Sequence, residues 1–224
     1  IIINVGIFLI DLVLPTVVMY DYTGAVTGVT QQQIDQAVEV NPDFPDNPRI
    51  GVPMRVPRLV DRESGQTLVF EQYRAWHLLN GYGHFSLLKG FLGFEVWRVV
   101  TYQFLHVDFM HLFFNMFGLF IFGGMVEQYL GRKKFLSFYL ICGIAGGLLY
   151  LLIVGIREMG VPLPGTLNAT TMGTPLIGAS AGVFGVIVAC ARLQPDARVM
   201  LIFPPIPMKL KWMAYGYVGI ATYN

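Results

Sequence analysis

The sequence predicts an all-α, polytopic membrane helix bundle, and three observations support this fold class: its composition, its long apolar segments and its basic loops. Hydrophobic residues make up 54% of the 224 residues, charged residues make up only 13%, and the mean hydropathy is +0.57. A soluble domain carries roughly a quarter charged residues, so we expect much of this surface to face lipid. The net charge of +1, without a clustered basic stripe, gives no indication of a nucleic-acid partner.

Apolar segments predict about five membrane spans. They cover residues 1–20, 109–130, 135–156, 177–191 and a last segment from about 208 that continues to 224. Twenty helical residues extend about 30 Å, which is enough for the first segment to cross a bilayer once. The fourth segment is shorter and rich in small residues, so we expect it to lie inside the bundle. Because the sequence opens and stops within apolar segments, we expect residues 1–224 to be one membrane domain truncated at both ends.

The polar segment 21–90 differs from the rest of the chain. Five prolines between residues 42 and 57 favour extended, non-helical backbone. Such backbone cannot face lipid, so we predict a long extramembrane loop within the domain. Its two histidines, His77 and His84, are interpreted as surface residues.

Short basic loops predict the orientation. Three consecutive basic residues at 132–134 separate spans two and three, and four more lie between residues 192 and 211. The loop between spans three and four has only Arg157. By the positive-inside rule, the basic loops and the N-terminus are cytoplasmic and segment 21–90 is outside. These loops also suit a bacterial inner membrane.

Ser180 is the candidate nucleophile. It lies at the predicted start of the fourth span, where free N–H groups and the helix dipole favour a developing negative charge. Its neighbours from Gly178 to Gly182 lack bulky side chains, which leaves access for a substrate backbone. The alternative is that these residues serve only helix packing, since Gly178 and Gly182 have the four-residue spacing of close-packed membrane helices.

A second polar cluster contains His106, His111 and Asn115. His111 and Asn115 are four residues apart and share a helix face, so together they could donate hydrogen bonds to an oxyanion. A structural hydrogen-bond network is an equally open interpretation. Metal binding is disfavoured, because His106 and His111 point about 140° apart on a helix and no His-Glu-x-x-His pair is present. Glu127, near the inner end of the second span, is interpreted as structural.

Taken in order, these residues resemble the signature of rhomboid proteases. The part that is similar to the family's first loop and second helix comprises Trp97, Arg98, Thr101, Phe104, Leu105, His106, His111, Asn115, Gly123, Gly124, Glu127 and Gly131. Gly178-Ala179-Ser180 is similar to the nucleophile motif that starts the family's fourth helix. The resemblance covers roughly residues 1–20 and 90–224.

The resemblance implies a six-helix core that cleaves transmembrane protein substrates within or near the lipid bilayer, without a metal or organic cofactor. Ser180 would be the nucleophile, and His111, Asn115 and the Ser180 N–H would bind the oxyanion. Trp97 and Arg98 would belong to a first loop that lies in the membrane, with His106 in structural support. The base would be a histidine on the sixth helix, which we expect beyond Asn224.

Two departures from the family pattern concern the nucleophile helix. Ala181 stands where the family often has glycine, although Gly182 follows directly. Phe184 stands where several members carry a tyrosine that packs against the base. Two other functions stay open: a non-catalytic relative that binds transmembrane clients, and an unrelated transporter or channel. An intact Ser180 favours a protease, and the lack of an internal repeat disfavours a transporter.

Overall fold

The computed structural model describes residues 1–26, 28–41, 49–50, 52–165, 167, 170–200, 207–212 and 215. The first part of the chain forms one helix, a short surface helix and four strands. Their bounds are α1 Ile2–Val13, β1 Thr16–Ala25, α2 Gln31–Gln36, β2 Val38–Glu39, β3 Pro53–Val60 and β4 Thr67–His77.

Helix α1 is shorter than the predicted first span. It ends at Val13, and Leu14 is already extended, with φ −82° and ψ 155°, as expected for a residue that precedes a proline. The apolar residues after Pro15 then form β1, because β-branched Thr16, Val17 and Val18 fit a strand. The prediction of one helix over residues 1–20 is therefore wrong, since twelve helical residues cover only about 18 Å.

The first part of the chain is not all-α. Strands β1, β4, β3 and β2 form, in this order, an antiparallel four-stranded sheet. The β-branched and aromatic residues of β4 account for its central position. Prolines and acids are frequent between residues 42 and 63, and they conceal both β3, which lies within this range, and its neighbouring strands. That residues 21–90 lie outside the membrane stays a prediction.

A buried ion pair joins the two longest strands. Arg74 of β4 lies 3.0 Å from the Asp21 carboxylate of β1, and the Gln72 amide donates to the same carboxylate at 3.1 Å. Burial raises the pKa of Asp21, while Arg74 and the Gln72 hydrogen bond oppose this shift. The ion pair and the hydrogen bond hold β1 and β4 together.

Short helical elements connect the sheet to the membrane helices. They are α3 (Leu78–Gly83), a π-helical turn (Leu87–Leu92), α4 (Arg98–Thr101) and a 3-10 turn (Tyr102–Phe104). The buried Asp11 carboxylate of α1 accepts the N–H groups of Leu79 at 2.6 Å and Asn80 at 3.1 Å. Because these are unpaired donors of the first turn of α3, Asp11 fixes α1 to α3.

Three further helices form the membrane part: α5 Phe109–Leu130, α6 Arg132–Glu158 and α7 Ser180–Leu193. By length and composition, α5 and α6 can cross a membrane, whereas α1 and α7 are shorter apolar helices. The predicted short fourth segment forms a helix, α7, and that this helix crosses the membrane stays a prediction. Strands β5 (Arg198–Met200) and β6 (Pro207–Lys209) then pair in antiparallel orientation, and most of the predicted fifth span lies outside the described residues.

Helix α7 packs against both α5 and α6. Its buried side chains include Val183, Val186 and Ile187, which belong to the main apolar core. Close approach to α6 depends on small residues, since a methyl group on Gly182 would lie 2.6 Å from the ring of Tyr139. This packing places the N-terminus of α7 against both α5 and α6.

Candidate active site

Ser180 is the first residue of α7 and is half-buried. The segment before it turns at Gly178, whose φ of +129° is a backbone conformation that glycine adopts without strain. No side chain caps α7 at Ala179. The N–H groups of the first turn of any helix lack intrahelical acceptors. Because no side chain caps them here, they can donate to an anion.

His111 of α5 contacts this turn. A methyl group on Gly178 would lie only 2.6 Å from Nε2 and Cε1 of the imidazole, so the ring packs directly against the glycine. The Asp108 carboxylate, which caps α5, accepts the His111 N–H at 2.8 Å and fixes the start of the helix. The structure thus brings His111 within two residues of the candidate nucleophile.

Asn115 lies one turn further along α5 and is buried. Its Nδ2 donates to the His111 carbonyl at 3.0 Å. A carboxamide nitrogen carries two N–H donors, so one remains for a second acceptor. His111 and Asn115 therefore share one helix face, as predicted.

His106 supports His111 from the other side. Its ring is buried and meets the His111 ring edge-to-face, with centroids 5.1 Å apart. Burial, followed by the proximity of His111, lowers the pKa of His106 to about 4. Its carbonyl accepts the Asn80 side chain at 3.1 Å, which ties it to α3. Among the described residues, no group of three or more potential metal ligands surrounds this pair.

Trp97 and Arg98 have different environments although they are adjacent. The Arg98 side chain is buried: its Nε donates to Glu95 at 2.7 Å, and its Nη1 donates to the carbonyls of Gly81 and His84 at 3.1 and 2.8 Å. Trp97, in contrast, is half exposed. Arg98 therefore holds the first loop to α3, while Trp97 faces outward with other exposed apolar residues of this loop.

The remaining predicted site residues fall into two groups. Gly182 is buried against α6, and Phe184 lies half-buried one turn after Ser180. Glu127 is not brought to the site, because sixteen helical residues of α5 separate it from His111, about 24 Å. It lines a cavity of about 620 Å³ with Ile1 and Arg132 at the opposite end of the helix.

Several residues that position the site were missed from the sequence. The Tyr102 carbonyl accepts the Gly178 N–H at 3.0 Å, and the Tyr102 hydroxyl donates to the Gly143 carbonyl at 2.6 Å. The interpretation of His84 as a surface residue is wrong: it is buried, and its ring stacks on Trp76 with centroids 5.6 Å apart. Tyr102 belongs to no recognisable motif of its own. The proximity in sequence of Thr101, Tyr102 and His106 could nevertheless have indicated that these side chains face the interior of the protein.

Comparisons with known proteins identify the family of this chain. A family model described as a Rhomboid domain matches residues 93–224, which is more than half of the chain. No solved structure matches the chain.

Three of the curated proteins to which the chain is similar illustrate the range of the matches. It is 29% identical to Rhomboid protein 1, mitochondrial, of Saccharomyces cerevisiae over 142 residues, which cover 63% of this chain and 37% of that protein. It is 34% identical to Rhomboid-like protease 3 of Toxoplasma gondii over 97 residues, with coverages of 43% and 34%. It is 26% identical to RHOMBOID-like protein 12, mitochondrial, of Arabidopsis thaliana over 154 residues, with coverages of 68% and 45%.

The matches cover only part of each relative, which limits the properties that can be transferred from these relatives to this chain. The chain spans between about a third and a half of the length of these three relatives. Two of the three are named as mitochondrial proteins, so the expected bacterial inner membrane gains no support. The apolar helices and the matched domain indicate an integral membrane protein.

Proposed function

Because this chain belongs to the rhomboid family, we propose that it is an intramembrane serine endopeptidase that cleaves transmembrane protein substrates within or near the membrane. One observation carries the proposal most strongly. Ser180 starts α7 two residues after Gly178, the glycine against which the His111 imidazole packs. A hydroxyl, free helix N–H groups and an imidazole at one point are the components of acyl transfer.

Nucleophilic attack forms the first bond. The Ser180 Oγ bonds to the scissile carbonyl carbon while its proton passes to a general base. The oxyanion that develops accepts hydrogen bonds from the Ser180 N–H, from His111 and from the free N–H of Asn115. Such donors stabilise the transition state because they are oriented before the charge develops.

The base completes the mechanism. The sequence has four histidines: His77 and His84 lie in or beside the sheet, His106 is buried, and His111 serves as an oxyanion donor. We assign the base to a further histidine, C-terminal to residue 224. It returns the proton to the leaving amine as the carbon–nitrogen bond breaks, and it then activates the water that hydrolyses the acyl-enzyme. A transmembrane substrate must unwind locally, since only extended backbone exposes a carbonyl to the nucleophile.

The test is labelling of the full-length protein in detergent micelles with a fluorophosphonate probe. We expect labelling of the wild type and none of Ser180→Ala. Asn115→Ala should label about 100- to 1,000-fold more slowly, because one oxyanion donor is lost. Ser137→Ala is the matched control, since this exposed serine of α6 donates only to the Lys133 carbonyl of its own helix.

The outcomes separate the candidate functions. Equal labelling of wild type and Ser180→Ala would show that a different serine is the nucleophile. A well-folded wild-type protein without labelling would favour the non-catalytic relative that binds transmembrane clients. Cleavage of a transmembrane substrate by the wild type alone would extend the result from an activated serine to a protease.

A further inference from the structure

Residues outside the matched Rhomboid domain hold the segment that leads to Ser180. The domain match begins at residue 93, whereas the sheet and α3 lie before it. Phe85, just after α3, forms an isolated antiparallel bridge with Leu176: its N–H donates to the Leu176 carbonyl at 3.0 Å, and it accepts the Leu176 N–H at 2.6 Å. The backbone four residues before the nucleophile is therefore fixed from outside the matched domain.

The same segment touches the sheet itself. Gly173 packs against the Asp21 carbonyl of β1, where a methyl group would lie 2.8 Å from the oxygen. Leu88 of the π-helical turn donates its N–H to the Met172 carbonyl at 2.8 Å. Residues 172–176 thus lie along elements that precede the matched domain.

Trp76 is a buried side chain of the sheet that packs in this junction. It lies next to the end of β4, only 3% of it is exposed, and it forms one buried apolar cluster with Leu105 and Ile177. Leu105 precedes His106, and Ile177 precedes Gly178, so the indole packs where the two halves of the candidate site meet. On its other side it stacks on the buried His84 ring.

We propose that Trp76 is a positioning residue for the nucleophile: the sheet, through this indole, fixes Ile177 and Leu105 and thereby sets the placement of Ser180 relative to His111. This inference rests on the proposed function for its effect on reactivity, but its structural part does not. The indole acts through shape, because its Nε1 has no hydrogen-bond partner within the described part of the chain.

Because the indole acts through its shape, replacement of Trp76 by phenylalanine and by alanine should have different effects. Trp76→Phe keeps a ring in the cluster and loses no hydrogen bond, so the segment stays in place. Trp76→Ala empties the space beside Ile177 and allows Gly178 to move. A displacement of about 1 Å at a reacting group can cost about 100-fold in rate. We therefore expect fluorophosphonate labelling of Ser180 to slow by about 10- to 100-fold in Trp76→Ala and by much less in Trp76→Phe.

A matched control removes an aromatic ring from the same strand but away from the site. Phe70 lies six residues earlier in β4, about 20 Å along the strand, and it pairs with Gly24 and Pro57. Phe70→Ala weakens the sheet without touching the Ile177 cluster. Labelling should be compared at a temperature at which wild type and all three variants are folded.

Amide hydrogen exchange gives a readout that does not need an active serine. In the full-length protein, we expect Trp76→Ala to accelerate exchange in residues 172–180, and we expect Phe70→Ala to leave these amides as in the wild type. Unchanged exchange and unchanged labelling in Trp76→Ala would overturn the proposal. An equal loss of labelling in Phe70→Ala would also overturn it, because the effect would then come from general weakening of the sheet. Faster exchange in a protein whose wild type is not labelled would support the positioning role and contradict the protease.

Discussion

Two histidines near this site stay neutral to a lower pH than they would in water. His84 and His106 are both buried, and burial lowers the pKa of each to about 4, with Arg98 as the second cause for His84 and His111 as the second cause for His106. Both rings are therefore neutral at physiological pH. A neutral His106 therefore places no positive charge beside the His111 ring.

The lowered pKa of His84 predicts a pH dependence of stability. In the unfolded chain a histidine binds a proton below about pH 6.5, whereas His84 in the folded protein binds one only near pH 4. The stability that the neutral ring contributes is complete above pH 6.5 and is lost as the pH falls toward 4, by about 3 kcal/mol. Thermal unfolding in micelles between pH 8 and 4.5 measures this loss.

The His84→Gln variant isolates the contribution of this residue. His106 contributes a loss of the same sign, so the wild type and the variant should both lose stability on acidification. The slope of the variant should be smaller. Identical slopes would show that His84 does not remain neutral in the folded protein.

At the scale of elements, the sequence predicted the membrane helices better than the rest. The predicted second span agrees with α5 to the residue. α6 begins three residues before its predicted start, because Gly131, with φ +78°, separates it from α5. Hydrophobic periodicity is a strong signal over twenty residues. It could not distinguish the short apolar strand after Pro15 from a continuing helix, because both are apolar.

The site residues likewise divide into those that the sequence predicted and those that it did not. The shared helix face of His111 and Asn115 follows from helix spacing, and the contact of His111 with the turn before Ser180 follows from a motif, so both were predictable. The contacts of Trp76 with Ile177 and of Phe85 with Leu176 were not, because these are ordinary apolar residues about a hundred positions apart in the chain. Only the tertiary fold gives such residues a role.

Helix α3 depends on a carboxylate from another element. Asp11→Ala removes the acceptor for the Leu79 and Asn80 N–H groups in a buried place. We expect a loss of about 1–2 kcal/mol, as for other N-terminal caps, measured as a lower midpoint of thermal unfolding.

Asp35→Ala is the control for this substitution. Asp35 is exposed on α2 and accepts only from the Gln31 side chain, so its loss should change stability by less than about 0.5 kcal/mol. A comparable loss in both variants would contradict the capping role of Asp11.

At the scale of the whole molecule, a sheet and a helix bundle share one junction. The sheet is held together by the buried Asp21–Arg74 pair, and it meets the bundle through α3, Trp76 and the segment before Ser180. The departure from an all-α fold is therefore located beside the candidate site and not at the periphery.

Substitution of two arginines of the sheet tests which of its ion pairs contributes more to stability. Arg74→Ala leaves the Asp21 carboxylate buried without its ion-pair partner, which costs about 3–5 kcal/mol. Arg58 is more exposed and pairs with Glu39 and, at 3.7 Å, with Glu71, so Arg58→Ala should cost less than about 1 kcal/mol. Thermal unfolding of both variants measures the difference, and equal losses would show that the buried pair does not anchor the sheet.

The joint between α1 and β1 has a consequence for how lipid acts on this protein. Only Leu14 and Pro15 separate the helix from the strand, and the proline ring restricts the backbone there. A helix in hydrocarbon adjusts its tilt to the thickness of the bilayer, and if α1 lies in the bilayer, this stiff connection would pass a change of its tilt to the sheet. Since β4 pairs with β1 and ends beside Trp76, we expect bilayers of different thickness to change the reactivity of Ser180.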